Sequence, residues 1–237
     1  MIRAIALFLK LPPWLLISIL CNANEGTIAF VGATIIDGTD AAPLENGVLV
    51  VTDGRIKIVG PRTDVTLPQG SEVIDVSDKY IIPGLINTHG HVGATVGLNG
   101  NGKYTRDNLL RQLSLYARYG VTAVNSLGGD FGQGFRLRDE QFNSDLVRAR
   151  IYVAGSAVVG DSEEAIRNEV NRNADVGANF IKVRIDDDLG VTQKLSRYLF
   201  EVLVDQAHKR RLPVAVHLYY LDDAKFMLRT EADIIAH

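Results

Sequence analysis

From Tyr80 onward, short apolar runs alternate with longer amphipathic segments, and this alternation restricts the fold more than any other feature of the chain. The runs "YIIPGLINTH" (80–89), "VTAVNSL" (121–127), "ARIYVAG" (149–155), "NFIKVRI" (179–185), "LPVAVHL" (212–218) and "ADIIAH" (232–237) read as strands. Between them, "RDNLLRQLSLYARYG", "DSEEAIRNEVNRNADVG", "KLSRYLFEVLVDQAHKR" and "DDAKFMLRTE" read as helices. Strands separated by helices make parallel β/α units, because a parallel neighbour can be reached only by a crossover. The expectation is an α/β domain over 80–237 with about six strands. The Gly-rich stretches "FGQGF" and "GLNGNG" lack a phosphate-loop lysine in register and read as flexible loops.

Upstream, residues 27–77 hold only short β-type runs. Asp53-Gly54 between "VLVVT" and "RIKIV" marks a hairpin, since both residue types tolerate the positive φ of a tight turn. A small β domain over 24–79 is expected. Residues 1–23 differ again: Arg3 and Lys10 precede the apolar "WLLISILC" and then "CNA", which reads as a secretory signal peptide. The run is too short for a stable membrane anchor. Cleavage after Ala23 would remove Cys21, the one cysteine, so the mature protein would carry no disulfide and would suit a periplasmic or secreted location. With a net charge of −3 and no basic run, nothing in the sequence offers a footprint for nucleic acid.

The chain has five histidines, and two of them, His89 and His91, lie one residue apart in "PGLINTHGHVG". Residues two apart in a strand face the same way, so both imidazoles can meet one ion. His217 and His237 end two later strands, while His208 lies within a helix among basic residues and reads as structural. In "FIKVRID", alternation separates Ile181, Val183 and Ile185 from Lys182 and Arg184. If the apolar face packs on helices, Lys182 points inward, where a charge is costly unless paired or metal-linked. Tyr219, Tyr220, Arg184 and Asp186 to Asp188 fall at or just past strand ends, within reach of a substrate; Tyr219 and Arg184 are the substrate-binding candidates.

These segments resemble the amidohydrolase superfamily of metal-dependent hydrolases, over Thr27 to His237. "ENGVLVVTDGRIKIVG" is similar to its β-sandwich segment, "YIIPGLINTHGHV" to its first barrel strand, "GVTAVNSLGG" to its second, and "GANFIKVRIDD" to the fourth strand of members with a carbamylated, metal-bridging lysine. The wording is closest to imidazolonepropionase-like and Xaa-Pro dipeptidase-like branches. The resemblance implies a (β/α)8 TIM-like barrel with a small N-terminal β-sandwich. It implies a metal site of His89, His91, Lys182, His217 and His237, with His217 and His237 also catalytic. Zn²⁺ suits this donor set, as do Mn²⁺, Co²⁺ or Fe²⁺, in one or two ions.

The implied reaction is hydrolysis of a C–N bond (amide, cyclic amide or dipeptide) in a small-molecule substrate by metal-activated water. Rival readings are a mononuclear deaminase of the same superfamily and a non-catalytic metal-binding barrel; a homo-oligomer stays open. A closed barrel needs eight strands, and the family's metal-binding aspartate after the eighth has no match here. The expectation is therefore a truncated, inactive fragment.

Overall fold

A computed structural model describes residues 26–100 and 103–237. The chain divides into two compact units, one ending at Ile81 and the other beginning at Ile82. The signal peptide expected over 1–23 lies outside the described residues. No described helix is long and apolar enough to cross a membrane.

The first unit is a five-stranded sheet of β1 (Thr27–Ile35), β2 (Leu44–Thr52), β3 (Arg55–Pro61), β4 (Glu72–Asp75) and β5 (Tyr80–Ile81). Its order is β3-β2-β1-β4, with β5 also on β1. Asp53 and Gly54 take φ of 50° and 69° between the paired Thr52 and Arg55, the double positive φ of a two-residue hairpin loop whose twist suits the flanking strands. Ala29, Val48 and Val50 are buried with Val31, Ile58, Val65 and Leu67 against them, whereas Ile56, Val59 and Val73 are exposed. Where a sandwich is expected from sequence, the described residues form one sheet, and a second β layer is not among them.

The second unit runs β6 (Leu85–Gly90), α1 (Arg106–Arg118), β7 (Val121–Ser126), α2 (Gly132–Asp139), β8 (Arg150–Val153), α3 (Glu163–Asp175), β9 (Ile181–Arg184), α4 (Arg197–Lys209), β10 (Val214–His217), α5 (Leu221–Arg229) and β11 (Ile234–Ile235). All its ladders are parallel. The three-stranded sheets β6-β7-β8 and β9-β10-β11 are joined by a bridge from Val158 to Val183 and by the Asn179 N–H donating to the Val153 carbonyl at 2.7 Å. The result is six parallel strands in chain order separated by helices, with no closed barrel among the described residues. β6 and β11 share no ladder, and Leu85 and Ile86 on β6 stay exposed.

Helix starts are locally encoded: Thr105, Ser162 and Ser196 each accept a backbone N–H of the first turn of α1, α3 and α4. The apolar stripe of α4, with Phe200, Leu203 and Ala207 fully buried, packs with Ile181, Val183, Val214 and Val216. Phe200→Ala is expected to cost roughly 3–5 kcal/mol, read by urea denaturation, because the strands cannot collapse into the space the ring fills. A loss under about 1 kcal/mol would show that this layer packs loosely.

Two sequence expectations need correction. "YIIPGLINTH" is two strands: β5 pairs with β1, and β6 starts only after Pro83-Gly84, which breaks the run. "FGQGF" is no flexible loop, since Gly132 opens α2. A Cβ on Gly134 would collide with the Tyr104 hydroxyl, so this glycine serves close packing.

Candidate metal centre at the strand ends

The C-terminal ends of the parallel strands bring together His89, His91, Lys182, His217 and His237. On β6 and the residue just past it, the two-residue spacing sets the His89 and His91 Nε2 atoms 3.2 Å apart. His91 Nδ1 lies 3.2 Å from the Gly128 carbonyl after β7. A carbonyl can only accept, so Nδ1 carries the proton and Nε2 of a neutral ring keeps its lone pair, turned toward His89. His89 in turn donates to the Ala236 carbonyl after β11. Burial first, then Lys182, His91 and His237, pull the His89 pKa down to about 4, so at neutral pH its ring is uncharged.

His237, just past β11, links the imidazoles of the first and fifth strands of this unit. Its ring stacks on His89 with centroids 4.7 Å apart and meets His217 edge-on at 4.3 Å, Nε2 of His237 facing Nδ1 of His217. Burial lowers the pKa of His217 although Asp186 opposes it. The carboxylate of Asp186 comes within 3.2 Å of His217 Nε2, in a direction that does not make a hydrogen bond. Asp186 accepts instead from Arg184 at 3.1 Å and from the Asp188 N–H at 2.8 Å. Burial raises the pKa of Asp186, and these donors more than reverse the effect.

Lys182 is the unusual member. It is 4% exposed, and its Nζ has no hydrogen-bond partner. Burial, with a smaller push from Arg184, lowers its pKa to about 8. The nitrogens of the cluster are drawn together pairwise rather than about a common centre. Among the described residues, no three His, Cys, Asp or Glu side chains form a ready-made metal site.

The other candidates fall in different places. Tyr219 packs edge-on against His217 at 4.9 Å and is half exposed, beside the cluster. Arg184 is engaged by Asp186 and Asp188, and Asp186 in turn lies beside His217. Tyr220 donates to Asp187 and lies under the Lys194 ammonium, away from the imidazoles. His208 sits by Asp233, whose carboxylate also accepts the Val214 N–H, a structural tie at the base of β10. A cavity of about 560 Å³ beside His91 is lined also by Thr95, Arg111, Gln112, Tyr116 and Tyr119.

Residues 80–237 match the model of the Amidohydrolase family, more than half of the chain. This chain belongs to the amidohydrolase family. The amidohydrolase is 39% identical over 66 residues to a 5-methylthioadenosine/S-adenosylhomocysteine deaminase of Symbiobacterium thermophilum, covering 27% of this chain and 15% of the deaminase. It is 32% identical over 72 residues to an imidazolonepropionase of Pseudomonas putida, covering 30% of this chain and 17% of that protein. Its fold matches a crystal structure of a Xaa-Pro dipeptidase with bound methionine in the active site, at a TM-score of 0.75 and 17% identity. That match covers 88% of this chain and 60% of the dipeptidase chain, so the amidohydrolase spans less than two thirds of each of these relatives.

Sequence reasoning missed the residues behind the cluster. Asp130, 2% exposed, and Ser126, fully buried, sit at the end of β7 beneath the His91 loop. A carboxylate directly after Gly128-Gly129 at a strand's C-terminal end was the readable signal.

Proposed function

We propose that His89, His91, Lys182, His217 and His237 hold one or two divalent ions, Zn²⁺ foremost, and that the whole protein to which these residues belong hydrolyses a C–N bond of an amide, cyclic amide or dipeptide, the 237-residue chain alone being inactive. The observation that carries this reading is the buried Lys182 Nζ, left without a hydrogen-bond partner in a unit whose strand ends gather four imidazoles. A buried amine without a partner is costly unless a ligand or a chemical change completes it. The donor set fits such ions: imidazole nitrogen with no thiolate is the chemistry of catalytic rather than structural zinc. When bound, the ion supplies Lewis acidity and brings the pKa of water toward neutrality.

The chain's own residues supply the rest. With its pKa lowered to about 8, Lys182 holds a substantial neutral fraction near that pH. A neutral amine adds to CO₂, forming an N–C bond and releasing one proton, and the resulting carbamate is an anion where an ammonium would repel the cation. His91 presents Nε2 because Gly128 holds Nδ1. His217 and His237 stand together beside Tyr219, where a substrate carbonyl would be met, and burial, by lowering the His217 pKa, favours its neutral ring. Leu127, Ala154 and Ala215 are fully buried beneath and exclude water from the floor.

The curated relatives include deaminases, which supports a mononuclear deaminase as the second reading. It has no use for a carbamate. Intact mass after native isolation separates the two readings, the dinuclear hydrolase showing one added CO₂ on Lys182. Assays of the whole protein with Zn²⁺ should release free amino acid from dipeptides or N-acyl amino acids, while the 237-residue chain alone should show no turnover above background; ammonia from adenine nucleosides instead would favour the deaminase, and neither product from the whole protein would leave a binding protein. The charged start, apolar run and small residues of 1–23 support export, which an N-terminal sequence beginning near Asn24 would bear out and an intact Met1 would contradict.

A further inference from the structure

We propose that Asp130 is a positioning residue for His91, gripping it from both sides through Ser126 and Gly128. The inference rests on His91 being a metal ligand as described above. Asp130 Oδ1 accepts the Ser126 hydroxyl at 2.6 Å and the Tyr104 hydroxyl at 3.2 Å, while Oδ2 accepts the Ala154 N–H at 2.9 Å. The Gly128 N–H also donates to this carboxylate. Four donors from three segments thus fix one buried side chain.

Two arms lead from it to the imidazole. In one, Ser126 Oγ passes its proton bond to Asp130 and accepts the Val92 N–H at 3.2 Å, fixing the backbone immediately after His91. In the other, Gly128 is held through its N–H, so its carbonyl is aimed at His91 Nδ1. Gly128 and Gly129 take φ of 110° and 78°, a turn open to glycine that lets carboxylate and imidazole be served from opposite sides of one peptide segment. A Cβ on Gly128 would rest 3.5 Å from Lys182 Cγ, so the same turn flanks the lysine. Asp130 touches no imidazole itself; its effect is to select the tautomer that leaves His91 Nε2 free.

Metal-free protein labelled with ¹⁵N reports this directly in two-bond ¹H–¹⁵N imidazole correlations. The native protein should show His91 as a single Nδ1–H tautomer. Asp130→Asn should show mixed tautomers and weaken Zn²⁺ binding by roughly 10–100-fold, the range for outer partners of a ligand, with partial recovery in Asp130→Glu. Should the asparagine variant fail to fold, Ser126→Ala carries the test: it cuts the Val92 arm and is expected to broaden the His91 signal and weaken Zn²⁺ binding several-fold. A variant that melts earlier yet keeps a single His91 tautomer and native Zn²⁺ affinity has lost only packing, and overturns the proposal. Failure of the metal reading looks different: His91→Ala would then bind Zn²⁺ as the native protein does, while the tautomer change in Asp130→Asn would persist.

Discussion

Replacing His91 with alanine is expected to weaken Zn²⁺ binding by more than about 100-fold, the upper range for losing a mere outer partner of a ligand, and to abolish hydrolysis by the whole protein. His89→Ala should match it. The strand spacing places both Nε2 atoms 3.2 Å apart, so each substitution removes one of the two nitrogens that this strand presents to a single ion. Because His91 is on the surface of the strand ends and outside the main apolar clusters, the variant should melt close to the native protein in the absence of metal. Calorimetric titration of the metal-free variant with Zn²⁺ is the check. Affinity within a few-fold of native would remove His91 from the site.

Lys182→Met should do two opposite things, ending turnover by the whole protein while making the metal-free, CO₂-free chain more stable. The ordinary lysine pKa of 10.5 falls to about 8 in the folded chain, so the unfolded chain holds the proton more tightly, a difference worth roughly 3 kcal/mol. Below pH 8 both states carry the charge and the folded state bears the full penalty. Between pH 8 and 10.5 the folded state gives up its proton first, and the penalty fades as pH rises. The gain from methionine should therefore be largest at pH 7 or below and vanish above about pH 10.5, as read by urea denaturation across that range. Small carboxylates should restore part of the activity of Lys182→Ala by filling the place of the carbamate. A methionine variant that is less stable at pH 7, or one that still turns over, would contradict the role given to Lys182.

The strand–helix rhythm was legible because the inner strands β7 to β10 bury apolar residues among those of the helices. Ile181 and Val183 pack with Phe200 while Lys182 turns away, as two-residue alternation requires. The tight turn at Asp53-Gly54 was legible for the same reason, a local rule with no competitor. What escaped depended on contacts distant in sequence. Gly134 reads as flexibility until Tyr104, 30 residues earlier, is known to lie against it. Arg184 was placed on the right strand, but its guanidinium is taken up by Asp186 and Asp188 in a loop that turns through positive φ at Asp188 and Leu189. Asp130 carries no pattern of its own; its meaning comes from Ser126, Gly128, Tyr104 and Ala154 meeting it in the fold.

The most direct test of the metal centre is metal analysis of the purified protein after mild dialysis, followed by Zn²⁺ titration of the stripped form while the imidazole signals of His89, His91, His217 and His237 are watched. A bound divalent ion should survive dialysis in at least one copy per chain, and the four rings should respond together at matching Zn²⁺ concentrations, since stacking and edge contacts join them in one cluster. Protein that retains less than one ion per chain, with ring signals that ignore Zn²⁺ or respond separately, would contradict a shared metal site at the strand ends.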